Sequence, residues 1–128
     1  GGDLQAALDA AQPGDVITLA NGATYAGNFV LPSKPAGGWI VVRPADLSGL
    51  PAEGARVAPA RHAAAMPKLV SANAMFALAT PDAYANVGTR GWRLVGLEIA
   101  SNPANAIAQA IVELGTGSER SLATLSSH

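Results

Sequence analysis

The fold of this chain is decided by residues 3–32, DLQAALDAAQPGDVITLANGATYAGNFVLP. Early in this stretch, apolar residues recur at i, i+3, i+4 and i+7, the spacing of one face of an α-helix. These residues are Leu4, Ala7, Leu8 and Ala11. Asp3 precedes them, where its carboxylate can cap the first helical turn. The sequence therefore predicts a short helix over residues 4–11 that covers one end of the structure.

Short apolar runs with strand character follow the helix at even spacing. Pro13 and Gly14 end the helical pattern, because proline disfavours helical geometry in the preceding residue and glycine permits a turn. Strands are then predicted at residues 16–19, 28–31 and 39–43, which are rich in apolar and β-branched side chains. Three such strands take about 24 residues, within the repeat periods typical of solenoids.

The remainder of the chain repeats the strand half of this pattern less regularly. Residues 45–67 are rich in Ala, Pro and Gly and predict a long turn, whereas strands are predicted at 68–71, 75–79, 92–99 and 111–114. The apolar parity changes at Gly96, which predicts a β-bulge there. We therefore expect one domain over residues 1–128: a capping helix and turn (1–15), about two and a half coils (16–114) and a polar tail (115–128).

Composition excludes several classes of function. Of the 128 residues, 49% are hydrophobic and 13% charged, with a net charge of -1. Nucleic-acid binding is not expected, because the cations are few and scattered. No apolar run is long enough to cross a bilayer, so no membrane partner is expected. The chain has no cysteine, and neither histidine has a further ligand at suitable spacing, so no metal or other cofactor is predicted.

The order of helix, Pro-Gly-Asp turn and first strand carries a resemblance. The segments GDLQAAL (2–8), AQPGDVI (11–17) and GNF (27–29), with WRLVGLEI (92–99), resemble the N-terminal cap and first coils of bacterial right-handed parallel β-helix proteins of the pectate-lyase-like superfamily. The expected fold is thus all-β, a short right-handed parallel β-helix (solenoid) with an N-terminal capping α-helix. The resemblance also implies a truncated chain, a secreted or periplasmic location and an ancestor that acted on polysaccharides.

Charged residues near strand ends are the candidates for a site. Glycosidic cleavage by carboxylates needs two acids about 5–10 Å apart. Glu98 and Glu113 occupy comparable strand positions and are expected to stack on one outer face. A lyase acting on an anionic sugar would use basic side chains in the same groove. The candidate catalytic residues are Lys68, Arg93 and Glu98, and the candidate substrate-binding residues are Arg43, Glu113 and Trp92.

Each candidate also has a structural interpretation. Charges at strand ends guard against aggregation, and acids that alternate with apolar residues simply face solvent. A tryptophan close to a strand is commonly a core residue.

Two functional hypotheses follow. The first is a truncated, non-catalytic module that self-associates as a homo-oligomer, most simply a dimer, through strand edges left open near residue 114. The alternative is a small hydrolase or lyase acting on a carbohydrate or an ester at an outer groove or between subunits.

Overall fold

A computed structural model describes residues 3–81, 89–104 and 110–114. It contains the helices α1 (Leu4–Ala10) and α2 (Pro59–His62) and a 3₁₀ turn at Ala63–Ala65. The strands are β1 (Val16–Leu19), β2 (Thr24–Ala26), β3 (Phe29–Val30), β4 (Ile40–Pro44), β5 (Lys68–Val70), β6 (Leu78–Ala79), β7 (Trp92–Leu94), β8 (Glu98–Ala100) and β9 (Val112–Glu113). The predicted tail 115–128 and part of the segment before β9 (105–109) lie outside the described residues.

Helix α1 forms where the apolar spacing places it. The Asp3 carboxylate accepts a hydrogen bond of 3.2 Å from the backbone N–H of Ala6 and so caps the first turn. Leu4 and Leu8 are buried, whereas Ala7 on the predicted face is exposed. At the other end of the helix, the Lys34 ammonium donates to the carbonyl oxygen of Asp9 at 2.6 Å, where a cation is favoured by the helix dipole.

The strands form three separate parallel sheets. Their strand orders are β1–β4–β7 (the first sheet), β2–β5–β8 (the second sheet) and β3–β6–β9 (the third sheet). Side chains alternate along β4, where Ile40, Val42 and Pro44 are buried and the residues between them are partly exposed. Inward-facing residues of all three sheets share one core cluster with α1: Leu4, Leu8, Leu19, Phe29, Leu31, Val42, Leu69 and Leu78.

The predicted all-β, right-handed parallel β-helix is wrong. Within the described ranges, the strands make three small sheets of three strands each, none of them closed or continued as a solenoid, and two short helices accompany them. Strand length supplies the physical reason. The described strands are two to five residues long, and glycine or proline ends or closely follows most of them, so each sheet stays narrow.

Several strand boundaries also differ from the predicted ones. Strand β2 was not predicted, since only four residues of mixed polarity lie between Gly22 and Gly27. Residues 92–99 form two strands in different sheets rather than one strand with a bulge. Gly96 separates them with a φ of +61°, a left-handed conformation that favours glycine. The predicted long turn over residues 45–67 contains α2 and the 3₁₀ turn.

Candidate functional site

The six predicted site residues are distributed over all three sheets. The first sheet contains Arg43 on β4 and both Trp92 and Arg93 on β7. The second sheet contains Lys68 on β5 and Glu98 on β8, and the third contains Glu113 on β9. The structure therefore brings together Lys68 and Glu98 but does not gather the six residues into one groove.

Lys68 and Glu98 form an ion pair across two neighbouring strands. They are direct partners in the β5–β8 register, and the Lys68 ammonium lies 2.9 Å from a Glu98 carboxylate oxygen. Their side chains are 35% and 37% exposed, so the pair is partly screened and is worth about 0.2–1 kcal/mol. In this arrangement each group neutralises the other, and the pair secures the outer face of the second sheet.

Glu98 and Glu113 do not stack on one outer face as predicted. Glu98 pairs with Lys68 in the second sheet, whereas Glu113 pairs with Ala79 in the third. The error arises because β8 and β9 follow each other in the chain but occupy different sheets. The two acids are therefore not arranged as a pair across a common groove.

The remaining predicted site residues contact the protein itself. The Arg43 guanidinium donates to the carbonyl oxygens of Pro44 at 2.9 Å and of Ala45 at 3.4 Å, closing the end of β4. Arg93 lies 3.5 Å from Glu53, in a pair whose side chains are 58% and 94% exposed, which makes it weak. The indole N–H of Trp92 donates to the carbonyl oxygen of Pro32 at 2.9 Å, and its ring packs against the core cluster.

Polar networks that the sequence analysis missed hold the turns between sheets. The Asn28 amide donates to the carbonyl oxygen of Phe76 at 2.6 Å, to Asn73 Oδ1 at 3.1 Å and to Ser71 Oγ at 3.3 Å. The hydroxyl of Ser71, a fully buried residue, lies 2.7 Å from the carbonyl oxygen of Asn73 and 2.8 Å from that of Met75, and its one hydrogen bonds to either of these acceptors. The position of Asn28 directly before a strand was the one sequence signal for this network, since an asparagine amide commonly bonds to backbone groups in turns.

A second network joins the turn after β1 to the long loop after β4. The Asn21 amide donates to the carbonyl oxygens of Asp46 at 2.7 Å and of Ala65 at 2.9 Å, and Asn21 Oδ1 accepts from the Asp46 N–H. The Asp46 carboxylate in turn accepts from the backbone N–H and the hydroxyl of Ser48. These two hydrogen bonds, the backbone one first, lower the pKa of Asp46 below its ordinary value of 3.8.

The two ends of the third sheet differ, because a side chain of α1 bonds to its outer strand β3, whereas β1 and β2, the outer strands of the other two sheets at that end, pair on one side only among the described residues. At the end near α1, the Gln5 amide lies against β3 as a neighbouring strand would. Its nitrogen donates to the carbonyl oxygen of Val30 at 2.9 Å, and its oxygen accepts from the Val30 N–H at 2.9 Å. Both polar groups of one edge residue are thereby satisfied by a side chain. This contact closes the edge of the third sheet to further pairing.

The opposite end, which we call the distal edge, consists of β7, β8 and β9. Among the described residues, each of these strands pairs on one side only, with β4, β5 and β6. Four apolar side chains on or beside β7 and β9 are between 38% and 64% exposed: Leu94, Ile111, Val112 and Leu114. Exposed apolar groups beside open strand edges are typical of a surface that another chain covers.

Two open grooves in the described part of the chain lie near α1. The larger, of 490 Å³, is lined by residues that include Asp3, Tyr25 and Phe29. A smaller one of 170 Å³ shares Asp3 and Tyr25. Asp3 is the only carboxylate in either lining, and it caps α1. Neither groove provides the two acids that carbohydrate cleavage by carboxylates requires.

Metal sites, membrane spans and relatives give no further guide to function. No group of three or more His, Asp or Glu residues that could hold a metal ion occurs in the described ranges. The helices described there are also too short and insufficiently apolar to cross a bilayer. Comparisons with protein-family models, curated proteins and solved structures found no match for this chain. The resemblance to pectate-lyase-like proteins therefore stays a prediction.

Proposed function

We propose that this chain is a non-catalytic module that self-associates, with a second copy of itself as the partner and the distal edge as the contact. The observation that carries the proposal is the contrast between the two ends of the third sheet, together with the exposed apolar residues of the distal edge. Gln5 and α1 cover strand edge and core at one end, whereas the distal edge combines open backbone groups with exposed Leu94, Val112 and Leu114.

Pairing at the distal edge would satisfy two physical requirements together. Backbone N–H and C=O groups at a strand edge gain partners when another strand docks beside them. The apolar side chains next to them lose contact with water in the same step, which is the main favourable term in association. A second copy provides a surface of the same kind, so the interface can be isologous, as in most homodimers.

A dimer is further favoured by the covered edge of the third sheet at the end near α1. If both ends offered open edges, head-to-tail contacts could continue indefinitely into a filament. The Gln5 contact to Val30 opposes this, because an incoming strand would have to displace two hydrogen bonds of 2.9 Å. At the third sheet, association is therefore favoured between distal edges, as in a dimer.

The alternative hypothesis of a carbohydrate or ester hydrolase or lyase gains no support from the geometry. Lys68 and Glu98 neutralise each other, and Arg43 and Trp92 donate to backbone carbonyls of their own chain. An origin among polysaccharide-acting proteins stays a prediction and adds nothing to the argument for self-association.

Light scattering coupled to size-exclusion chromatography, over a wide range of protein concentrations, tests the proposal. The measured mass is expected to be twice the 12.8 kDa of a single chain and to fall on dilution as the dimer dissociates. Val112→Asp should shift it to a monomer, since it places a charge in the apolar part of the distal edge. Val57→Asp is the matched control, because Val57 is 41% exposed and Val112 40% but Val57 lies in the loop after β4.

Circular dichroism of both variants separates lost association from lost folding. A wild-type chain that remains monomeric at every concentration would refute the proposal. Equal effects of the two substitutions on the mass would also refute it, because the contact would then not lie at the distal edge.

A further inference from the structure

The turn after β1 contains the single Asn-Gly pair of the sequence, Asn21-Gly22. Asparagine followed by glycine rearranges readily through a succinimide ring, because glycine has no side chain to hinder attack by its backbone nitrogen on the asparagine amide. Asn21 is exposed, so water reaches it. The pair therefore has the chemistry of a spontaneous modification site.

The Asn21 amide fastens both ends of residues 46–65, which we call the latch loop. Its nitrogen donates to the carbonyl oxygens of Asp46 at 2.7 Å and of Ala65 at 2.9 Å. Its oxygen accepts from the Asp46 N–H at 2.9 Å. Both hydrogens and the oxygen of the amide thus have partners, and all of these partners are backbone groups of the latch loop.

The backbone of the pair is held as well. The Ala23 N–H donates to the carbonyl oxygen of Ala20 at 3.1 Å and closes a turn around the pair. Gly22 has a φ of +69°, and a Cβ there would lie 2.7 Å from the Ala64 carbonyl oxygen. Attack on the side chain requires Asn21 to leave its three hydrogen bonds and rotate onto the next backbone nitrogen. The docked latch loop therefore protects the pair.

We propose that Asn21 is a deamidation site that is gated by the latch loop and whose modification keeps this loop open. When the loop opens, the Gly22 backbone nitrogen loses its proton to hydroxide and attacks Cγ of Asn21. The new C–N bond closes the succinimide ring, and the side-chain nitrogen leaves as ammonia after taking a proton from water. Water then opens the ring at Cγ, which gives aspartate, or at the backbone carbonyl, which gives isoaspartate.

The reaction consumes water and releases ammonia, so it needs no oxidant, cofactor or enzyme. Its products do not restore the latch. A carboxylate has no hydrogen to donate, and it would face the carbonyl oxygens of Asp46 and Ala65 that now accept from the amide. Isoaspartate also lengthens the backbone in a turn that has no spare room at Gly22. Each opening that ends in deamidation is therefore irreversible.

Mass spectrometry of peptic peptides, after incubation of the chain at mildly alkaline pH, tests the gating. Asn21 should deamidate at least about tenfold more slowly in the folded chain than in guanidinium chloride, because its hydrogen bonds to the latch loop must open first. Asn102 is the internal control. Its amide donates to the carbonyl oxygen of Ala72 at 3.2 Å, but the nitrogen of Pro103 has no hydrogen to lose, so Asn102 should stay intact in both conditions.

A substitution within the latch loop tests the gating without changing the reacting pair. A Cβ at Gly49 would lie 2.7 Å from the Cβ of Ala65, so Gly49→Ala forces apart two segments of the docked loop. It should accelerate deamidation of Asn21 in the folded chain at least about threefold, since overpacking destabilises the docked state.

Limited proteolysis with trypsin tests the release of the loop. Arg56 and Arg61 lie exposed in the latch loop. Asn21→Asp, which reproduces one product, should be cut after these residues at least about fivefold faster than wild type, because an open loop presents its backbone to the protease. Asn102→Asp is the matched control and should be cut there at the wild-type rate. Circular dichroism establishes that both variants retain their strands.

The outcomes are distinguishable from those that test self-association. Equal rates of Asn21 deamidation in the folded and unfolded chain, or no acceleration in Gly49→Ala, would overturn the gating. Equal cleavage of Asn21→Asp and wild type would overturn the release. All of these rates are measured at one low protein concentration, and none of them depends on whether the chain forms a dimer.

Discussion

Replacing Gln5 by leucine is expected to destabilise the fold although it leaves the apolar core intact. The Gln5 amide makes two hydrogen bonds of 2.9 Å with the backbone of Val30, and its nitrogen also donates to Asp9 at 2.9 Å. Leucine and glutamine have similar helix propensities, so the substitution should not weaken α1 itself. Its effect isolates the contact between the helix and the edge of β3.

The expected cost follows from the number of hydrogen bonds lost. Each contributes about 0.5–1.5 kcal/mol net, and a buried group left without a partner costs more. Val30 is only partly buried, so water can replace part of what is lost. We therefore expect the free energy of unfolding to fall by about 2 kcal/mol, the sum of two ordinary hydrogen bonds.

Urea unfolding followed by tryptophan fluorescence measures this change. All variants must be compared at one low protein concentration, because association would add to the apparent stability. Gln12→Leu is the matched control. The Gln12 side chain makes a single contact of 3.3 Å, to Ala10 in its own turn, and its replacement should alter stability by no more than about 0.5 kcal/mol.

A glutamate at the same position sharpens the test. In Gln5→Glu the carboxylate can still accept from the Val30 N–H, but at pH 7 it has no proton to donate to the Val30 carbonyl oxygen. Protonation at a pH below about 4.3 restores a donor, so the deficit relative to wild type should shrink in acid. Equal stabilities of Gln5→Leu and Gln12→Leu, or a Gln5→Glu deficit that does not depend on pH, would refute the role assigned to Gln5.

Two further predictions concern the turn networks. Asn28→Asp should destabilise the fold more than Asn28→Ala in urea titrations at pH 7. The aspartate places a carboxylate against the Phe76 carbonyl oxygen, which in the wild type accepts a hydrogen bond of 2.6 Å from the Asn28 amide. Equal stabilities of the two variants would contradict this. Ser48→Ala removes one of the two hydrogen bonds that lower the pKa of Asp46. A carboxyl group whose pKa is lowered by folding stabilises the folded state at pH values above its ordinary pKa of 3.8. This stabilisation is lost as the pH falls through the lower pKa of the folded state. The urea midpoint of Ser48→Ala should therefore lie below that of wild type at pH 7 and approach it at about pH 2, and a pH-independent difference would be the contrary result.

Short-range signals account for the parts of the fold that the sequence predicts well. The apolar spacing and the Asp3 cap place α1 within one residue of its observed end. The run over residues 16–19 is a strand with the predicted bounds. These features depend on interactions within one or two turns of chain, such as the contact of 3.2 Å between Asp3 and Ala6. Local geometry is therefore sufficient to predict them.

The candidate sites were harder to predict because they depend on which strands become neighbours. Lys68 and Glu98 were predicted to lie in one outer groove with Arg43 and Arg93, and only the β5–β8 register makes them direct partners 2.9 Å apart. Glu98 and Glu113 looked equivalent in the sequence, and only the assignment of β8 and β9 to different sheets separates them. A shift of register or of sheet changes every such neighbour at once.

The sequence by itself determined the capped helix α1 and several of the short apolar segments that become strands, because capping, helical spacing and β-branched runs act over a few residues. The tertiary structure alone decided that these segments form three separate sheets, that Gly96 separates two strands, and that Gln5 closes an edge 25 positions away at Val30. Pairing of distant segments depends on the summed burial and hydrogen bonding of the whole chain, which no short stretch encodes. The distal edge, where the proposed function lies, is a product of that pairing.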